Sequence, residues 1–350
     1  LATSTYPSKR FYNCALKQAS TWGTAVAVGA GDGLLVSSDG NPSLKQTYSS
    51  TDAIGQVMAL DGDLGLYEPI DFAPEFGGKC GLQYAPGAVG SAIAALFGSE
   101  AVAQQGASAA YKHTLTWADT MTDFFTFATE RPGDIWEVPS AVCYKLSLKL
   151  GDGKVQGSIG LRGNLLKNDS TTNTATQLDA VTPEATANFV KFQHGVVRMN
   201  AQSGDALDSG DIIEVSDFSL EFERAVDAQH ILGGSYIAQP KEASFSIKVK
   251  LTLPYATSTN VAYLDLFKDM TAQKMDIVFT GGVADTGYNY SFSFFFPRLK
   301  LVAPPDVKLE DIIKNGLEFV AEEAASAPTG MNSTRPYIEI VNLRTTNYIS

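Results

Sequence analysis

Basic residues are scarce in this sequence: 26 Lys and Arg stand against 38 Asp and Glu among 350 residues, a formal net charge of -12. Binding to a DNA duplex draws most of its affinity from basic side chains on phosphates. The charge balance therefore excludes an ordinary double-stranded DNA binder, and no run of Lys or Arg exceeds two residues. Charged residues of all kinds make up 18% of the chain, against roughly 25% in typical soluble domains. Much of the surface must then be Ser, Thr, Gly, Asn and Gln, or be covered by a partner. Cysteine is nearly missing, and Cys14, Cys80 and Cys143 are odd in number and widely spaced, which fits neither a disulfide framework nor a CxxC metal site. Buried free thiols are expected. Long apolar runs are missing too: no stretch reaches the roughly 18 residues that span a bilayer, and LATSTYPSKRFYN has no apolar secretion segment, so a chain soluble when made is expected.

The signatures of chemistry are equally thin. Three histidines, His113, His194 and His230, come without an HExxH or GxSxG pattern. GAGDG at 29–33 lacks the spacing of a dinucleotide fingerprint, and DGDLG at 61–65 lacks the rest of a calcium loop. Glu221 and Glu223 are two apart on a strand, which reads as a charged stripe rather than a glycosidase pair. Tyr288, Tyr290, Phe292, Phe294 and Phe296 lack the interleaved basic groups of a nucleic-acid stacking platform. No catalytic, cofactor-binding or metal-binding residue is assigned, and no enzyme is expected.

What the sequence does have is alternation. His113, Leu115 and Trp117, then Val142 to Leu150 closed by Gly151-Asp152-Gly153 with its return at Val155 to Leu161, read as antiparallel strands. So do Phe218, Leu220 and Phe222, and the run Phe245 to Leu253. Further strands are expected at Cys80–Tyr84, Phe124–Thr129, Met275–Phe279, Tyr288–Phe296 ended by Pro297, and Pro336–Val341, with a turn at Gly281-Gly282. Val89–Phe97 has a helical period closed by Gly98, Val261–Met270 has another, and LEDIIKNGLEFVAEEAA at 309–325 reads partly as helix. Single cores stop growing near roughly 250 to 300 residues, so two are expected, with their boundary in the polar, Thr-rich 168–188. A slight echo between 76–150 and 243–305 suggests two related units.

Three stretches, GGKCGLQYAPGAVGSAIAALFGS at 77–99, YKHTLTWADTMTDFFTFATE at 111–130 and VSDFSLEFERAVDAQHILGGSYIAQPKEASFSIKVKLTL at 215–253, together with Trp22-Gly23-Thr24, resemble the major tail tube proteins of long-tailed, non-contractile bacteriophages. The resemblance spans most of 15–310. It implies a mainly β fold of two tail-tube-type β-sandwich domains, 1–175 and 176–350, each with a short flanking helix, plus long loops. It also implies a structural virion protein, made in the host cytoplasm, whose rings stack into a hollow tube that conducts DNA without binding it. Two units per chain favour three chains per ring; six chains are the alternative. The implied partners are further copies of the chain and the tape-measure, tail terminator and distal tail proteins. Another self-assembling β-rich virion or surface-layer protein, or a β-sandwich enzyme or carbohydrate-binding module, are the rival readings. Asp217, Glu221 and Glu223 are the candidate acidic lumen wall, since residues 201–350 carry 12 basic and 20 acidic residues. Lys248 and Lys250 fit that wall only if they pair with the acids or lie outside. Phe292, Phe294, Phe295 and Phe296 are the candidate packing or subunit interface. The loops 29–65 and 168–188 are expected at ring-to-ring contacts or on the outside, ordering on assembly. Deleting 37–65 should leave a soluble protomer that forms no tubes under negative-stain microscopy; normal tubes would sink the assignment.

Overall fold

The computed structural model describes residues 13–45, 49–51, 59–61, 67–78, 80–131, 134–151, 153–184, 189–254, 260–309 and 313–349. Most of DGDLG and the end of the 168–188 segment therefore lie outside the described residues. The protein is mainly β, with three short helices among the described residues. Alternating side chains set the strands, and all the longer strands pair antiparallel.

Two unusually long strands organise the molecule. Asp134–Gly151 holds Lys154–Gly163 along one side, while its other side changes partner. Residues 134–141 pair with Phe124–Arg131, and 145–149 pair with Asp217–Asp227. Tyr288–Leu301 behaves alike: Gln273–Asp285 runs along one side, and on the other 291–295 pair with Tyr337–Asn342 and 299–301 with Ile313–Ala321. One sheet thus runs in the order 154–163, 134–151, 217–227, 241–253, 313–321 and the end of 288–301. A second runs 98–104, 111–117, 337–342, the start of 288–301, 273–285 and 195–201.

The two sheets face each other across aromatic side chains. Phe222, on the first sheet, lies 5.5 Å from Phe97 and 6.1 Å from both Phe294 and Phe296 of the second layer, between ring centroids. The core built on these contacts is continuous from Cys14 to Ile349. Strands from the two halves of the chain share sheets, since Tyr337–Asn342 pairs with Tyr111–Trp117. The 168–184 stretch is tied to the first half. Asn173 is buried, accepting from the Val28 amide (2.8 Å) and donating to the Val26 carbonyl and Glu137, while Leu178 is buried on the short helix Ala175–Asp179. Residues 182–183 then pair with Ala30–Gly33. A polar stretch orders here because its side chains satisfy the first half's backbone.

The helix Ala88–Phe97 forms where its period places it, ended by Gly98 in the left-handed region at φ 82°. Its apolar positions go all round rather than along one face, and every residue but Ser91 is buried. Tyr348 packs so close to Gly90 that a Cβ there would lie 2.6 Å from its ring. Asn260–Lys268 is the other longer helix.

Four expectations are corrected. Residues 80–84 form no strand: Gln83 makes an isolated bridge to Phe189, and the backbone of Leu82 bonds Val155 and Val190. Residues 313–321 are strand, not helix, because Leu317, Phe319 and Ala321 alternate into the core against the 241–253 strand. Gly281 and Gly282 lie inside a strand at a bulge, and the chain turns at Thr286-Gly287 instead. Pro297 ends nothing, since the strand runs on to Leu301. A bulge at Tyr144 also shifts the first hairpin, sending Cys143 into the main core and Val142 into a smaller cluster with Ala19, Met121 and Phe124.

Phe222→Ala should cost about 3–5 kcal/mol of unfolding free energy, because it empties the junction of both sheets; denaturant titration checks this, and a loss below about 1 kcal/mol would contradict the shared core.

Candidate functional site

The face of the first sheet turned away from the core carries the candidate wall residues. Period-two alternation puts Asp217, Ser219, Glu221 and Glu223 on this face while Phe218, Leu220 and Phe222 point inward. Register then decides their neighbours. Glu221 stands between Ser147 and Lys248, Glu223 between Lys145 and Ser246, and Ser219 between Lys149 and Lys250. Lys145 reaches both acids, forming ion pairs with Glu221 and with Glu223 (3.2 Å). One strand further, Lys250 pairs with Glu318 at 3.2 Å; beyond it Arg298 and Lys300 share Glu322 at 2.9 and 3.4 Å. The face therefore alternates in sign from strand to strand. Asp217 is exposed at its end, opposite Thr252. Lys248 and Lys250 share the acids' face, and the ion pair of Lys250 goes to Glu318 rather than to the candidate acids.

The pairing has an electrostatic consequence. The hydrogen bond from Lys145 holds the Glu221 carboxyl below the usual carboxylate range, and the same bond raises the Lys145 ammonium. Both side chains remain about one-third exposed, so the pair contributes on the order of 0–1 kcal/mol.

Phe292, Phe294 and Phe296 point into the core and are buried. Phe295, on the opposite face, is half-buried and stacks on Tyr337 at 4.6 Å. The histidines are engaged elsewhere. His113 is buried with Nδ1 2.8 Å from Glu100 and Nε2 3.0 Å from the Arg344 carbonyl; Asp119 pairs instead with Arg335. His194 lies 3.0 Å from the Tyr84 hydroxyl, and His230 Nε2 donates to the Tyr67 carbonyl at 2.9 Å. Burial pushes the Cys143 thiol up to about 12 and raises those of Cys14 and, less enclosed, Cys80. Among the described residues no three His, Cys, Asp or Glu side chains converge as a metal shell requires, and no helix is long and apolar enough to cross a membrane.

Two surface features escaped the sequence reading. The turn between the 217–227 and 241–253 strands lifts Ile231 and Leu232 into solvent, 65% and 104% exposed. At the opposite end of the sheet an apolar groove of about 310 Å³ is lined by Phe192, Val196, Val197, Ile212, Val215 and Phe218. The only signal for the first was an apolar pair before Gly233-Gly234; the second depends on long-range pairing.

The family model for phage tail tube proteins matches residues 15–332. The chain belongs to the phage tail tube protein family. A search of curated proteins finds no match. As a tail tube protein it is a structural component of the virion tail, and membership of the family implies self-assembly with other tail proteins.

In this tail tube protein the lowered carboxyl of Glu221 contributes stability that is fully present above its ordinary value of 4.5 and is lost as pH falls through the lowered folded value. Lys145→Met should raise the Glu221 midpoint toward 4.5 and flatten that acid limb, followed by NMR titration and denaturant unfolding; an unmoved midpoint would refute the pairing.

Proposed function

We propose that three chains close into a ring and that rings stack into a hollow tube through which genomic DNA passes during ejection. Each chain supplies two tube-type units, 1–175 and 176–350, interlocked by the shared strands. The polar face of the six-stranded sheet lines the lumen.

The observation that carries this reading is the alternating-sign face on a member of the tail tube family. A duplex must slide without sticking. A basic wall would gain affinity by releasing counterions, and a strongly acidic wall would resist entry. A wall of neighbouring, mutually paired charges presents little net field, and its Ser and Thr rows add none. The candidate acids Asp217, Glu221 and Glu223 are in this reading one stripe of a balanced surface, with Lys145 partly neutralising two of them. The chain's excess negative charge is carried elsewhere on the tube.

Lateral closure follows from the sheet edges. Strand edges with unpaired backbone invite another chain, and a ring removes them. The 98–104 strand pairs fully with 111–117, and among the described residues no strand pairs with its other side. Tape-measure, terminator and distal tail proteins would then meet the lumen and the two ends of the stack.

Negative-stain microscopy of concentrated purified protein should show hollow filaments with a lumen wide enough for a duplex, and native mass spectrometry of dissociated rings should give three chains. Closed shells, flat sheets or a persistent monomer would overturn the tube, and six chains per ring would overturn the two-unit reading alone.

A further inference from the structure

We infer that the Ile231-Leu232 tip of one copy inserts into the Phe192–Phe218 groove of a second copy in the next ring, so that this contact sets ring-to-ring stacking. The inference rests on the tube reading and assigns the residues of its axial interface.

The tip is held rigidly, unlike a loose loop. His230 and Ile237 bridge across its neck, Ala238 donates to the Gln229 carbonyl at 2.8 Å, and Gly234 donates to the Ile231 carbonyl at 2.9 Å. The first half of the chain braces it: the Tyr67 ring stacks on Tyr236 at 5.1 Å, the Tyr67 amide donates to Ser235, and Trp22 Nε1 donates to the Ile237 carbonyl at 3.2 Å. Gly233, at φ 88°, lets the chain reverse there. The bracing holds two aliphatic side chains out in open water, where they pack against nothing in the single chain. It pre-orders them for a contact.

The groove is apolar and equally uncovered. Phe192, Val196 and Ile212 are 45%, 40% and 50% exposed around its rim, and the buried Phe218 and Phe279 form its floor. Two features then name the occupant. The tip and the groove lie beyond opposite ends of one strand, Asp217–Asp227, whose Phe218 touches the groove and whose Asp227 leads into the tip. Roughly 30 Å of strand separate them at about 3.3 Å per residue, so a chain cannot fill its own groove. The contact is between different patches, and such a heterologous contact either closes into a ring or propagates as an open stack. Barrel strands tilt about 35–45° from the barrel axis, so strand ends face neighbours along the tube while sheet edges face neighbours within a ring.

Two variants and a crosslink test this. Leu232→Asp and Val196→Glu should each fold with an unchanged melting curve, form rings, and fail to form filaments. Mixed in equal amounts they should give ring pairs, because the intact groove of the first accepts the intact tip of the second. A chain carrying both Leu232→Cys and Val196→Cys in a Cys80→Ser background should oxidise into a ladder longer than one ring, while either single cysteine gives none. Filaments from Leu232→Asp as abundant as the unaltered chain's, or filaments without a ladder, would overturn the contact and leave the tube reading standing. Dissociation of the rings themselves by Val196→Glu would place the groove within the ring and also overturn it. Absence of both filaments and ladder from the unaltered and doubly substituted chains would remove tube and contact together.

Discussion

Pro297 has no amide hydrogen to give, and the sheets are arranged around that deficit. Phe295 is the last residue of its strand to pair with Tyr337–Asn342, and Leu299 is the first to pair with Ile313–Ala321. The proline falls in the gap between the two partners, where no ladder bond is lost. A bulge on the other side at Met275 absorbs the register change. One continuous strand thereby belongs to both sheets, and the aromatic residues before the proline meet Phe222 across the interior. The strand 134–151 also changes partner along its length, and it too carries a proline, Pro139, inside the bulge between Val138 and Ala141. With the two layers joined through the backbone of 288–301, the sheets cannot slide relative to each other, and the charged outer face keeps its register.

That register is what gives the charged face its character. Lys145, Glu221, Glu223, Lys250 and Glu318 lie on four different strands, and their order across the sheet makes unlike charges neighbours. A slip of one residue in any strand would turn its charges inward and its core residues outward. Core packing and surface electrostatics are therefore one constraint seen from two sides.

Much of this was legible locally. Leu146 to Leu150, Phe218 to Phe222 and Ile247 to Leu253 alternate so regularly that their faces follow from period alone, and the glycine after Phe97 marks a helix end without reference to anything distant. What could not be read depends on partners remote in the chain. Residues 313–321 contain charges and Gly316 at helix-like spacing, and only pairing with 241–253 selects the strand. Asn173 sits in a polar stretch with no core signal, yet is buried because distant backbone at Val26 and Val28 needs its amide. The acids of the candidate wall were visible as a stripe, with Lys248 and Lys250 as candidate partners, while Lys145, which pairs with Glu221 and Glu223, was not, because neighbours across a sheet are set by strand register rather than by sequence distance.

The pairing of Tyr337–Asn342 with Tyr111–Trp117 also has a temporal meaning. Thr116 and Tyr337 are 221 residues apart, and at about 5–20 residues per second the earlier strand waits on the order of tens of seconds during synthesis for its partner. Until then the second sheet lacks its middle strand and the aromatic core lacks one wall. A nascent chain cannot present a finished surface, so the late strand acts as a built-in delay before self-assembly.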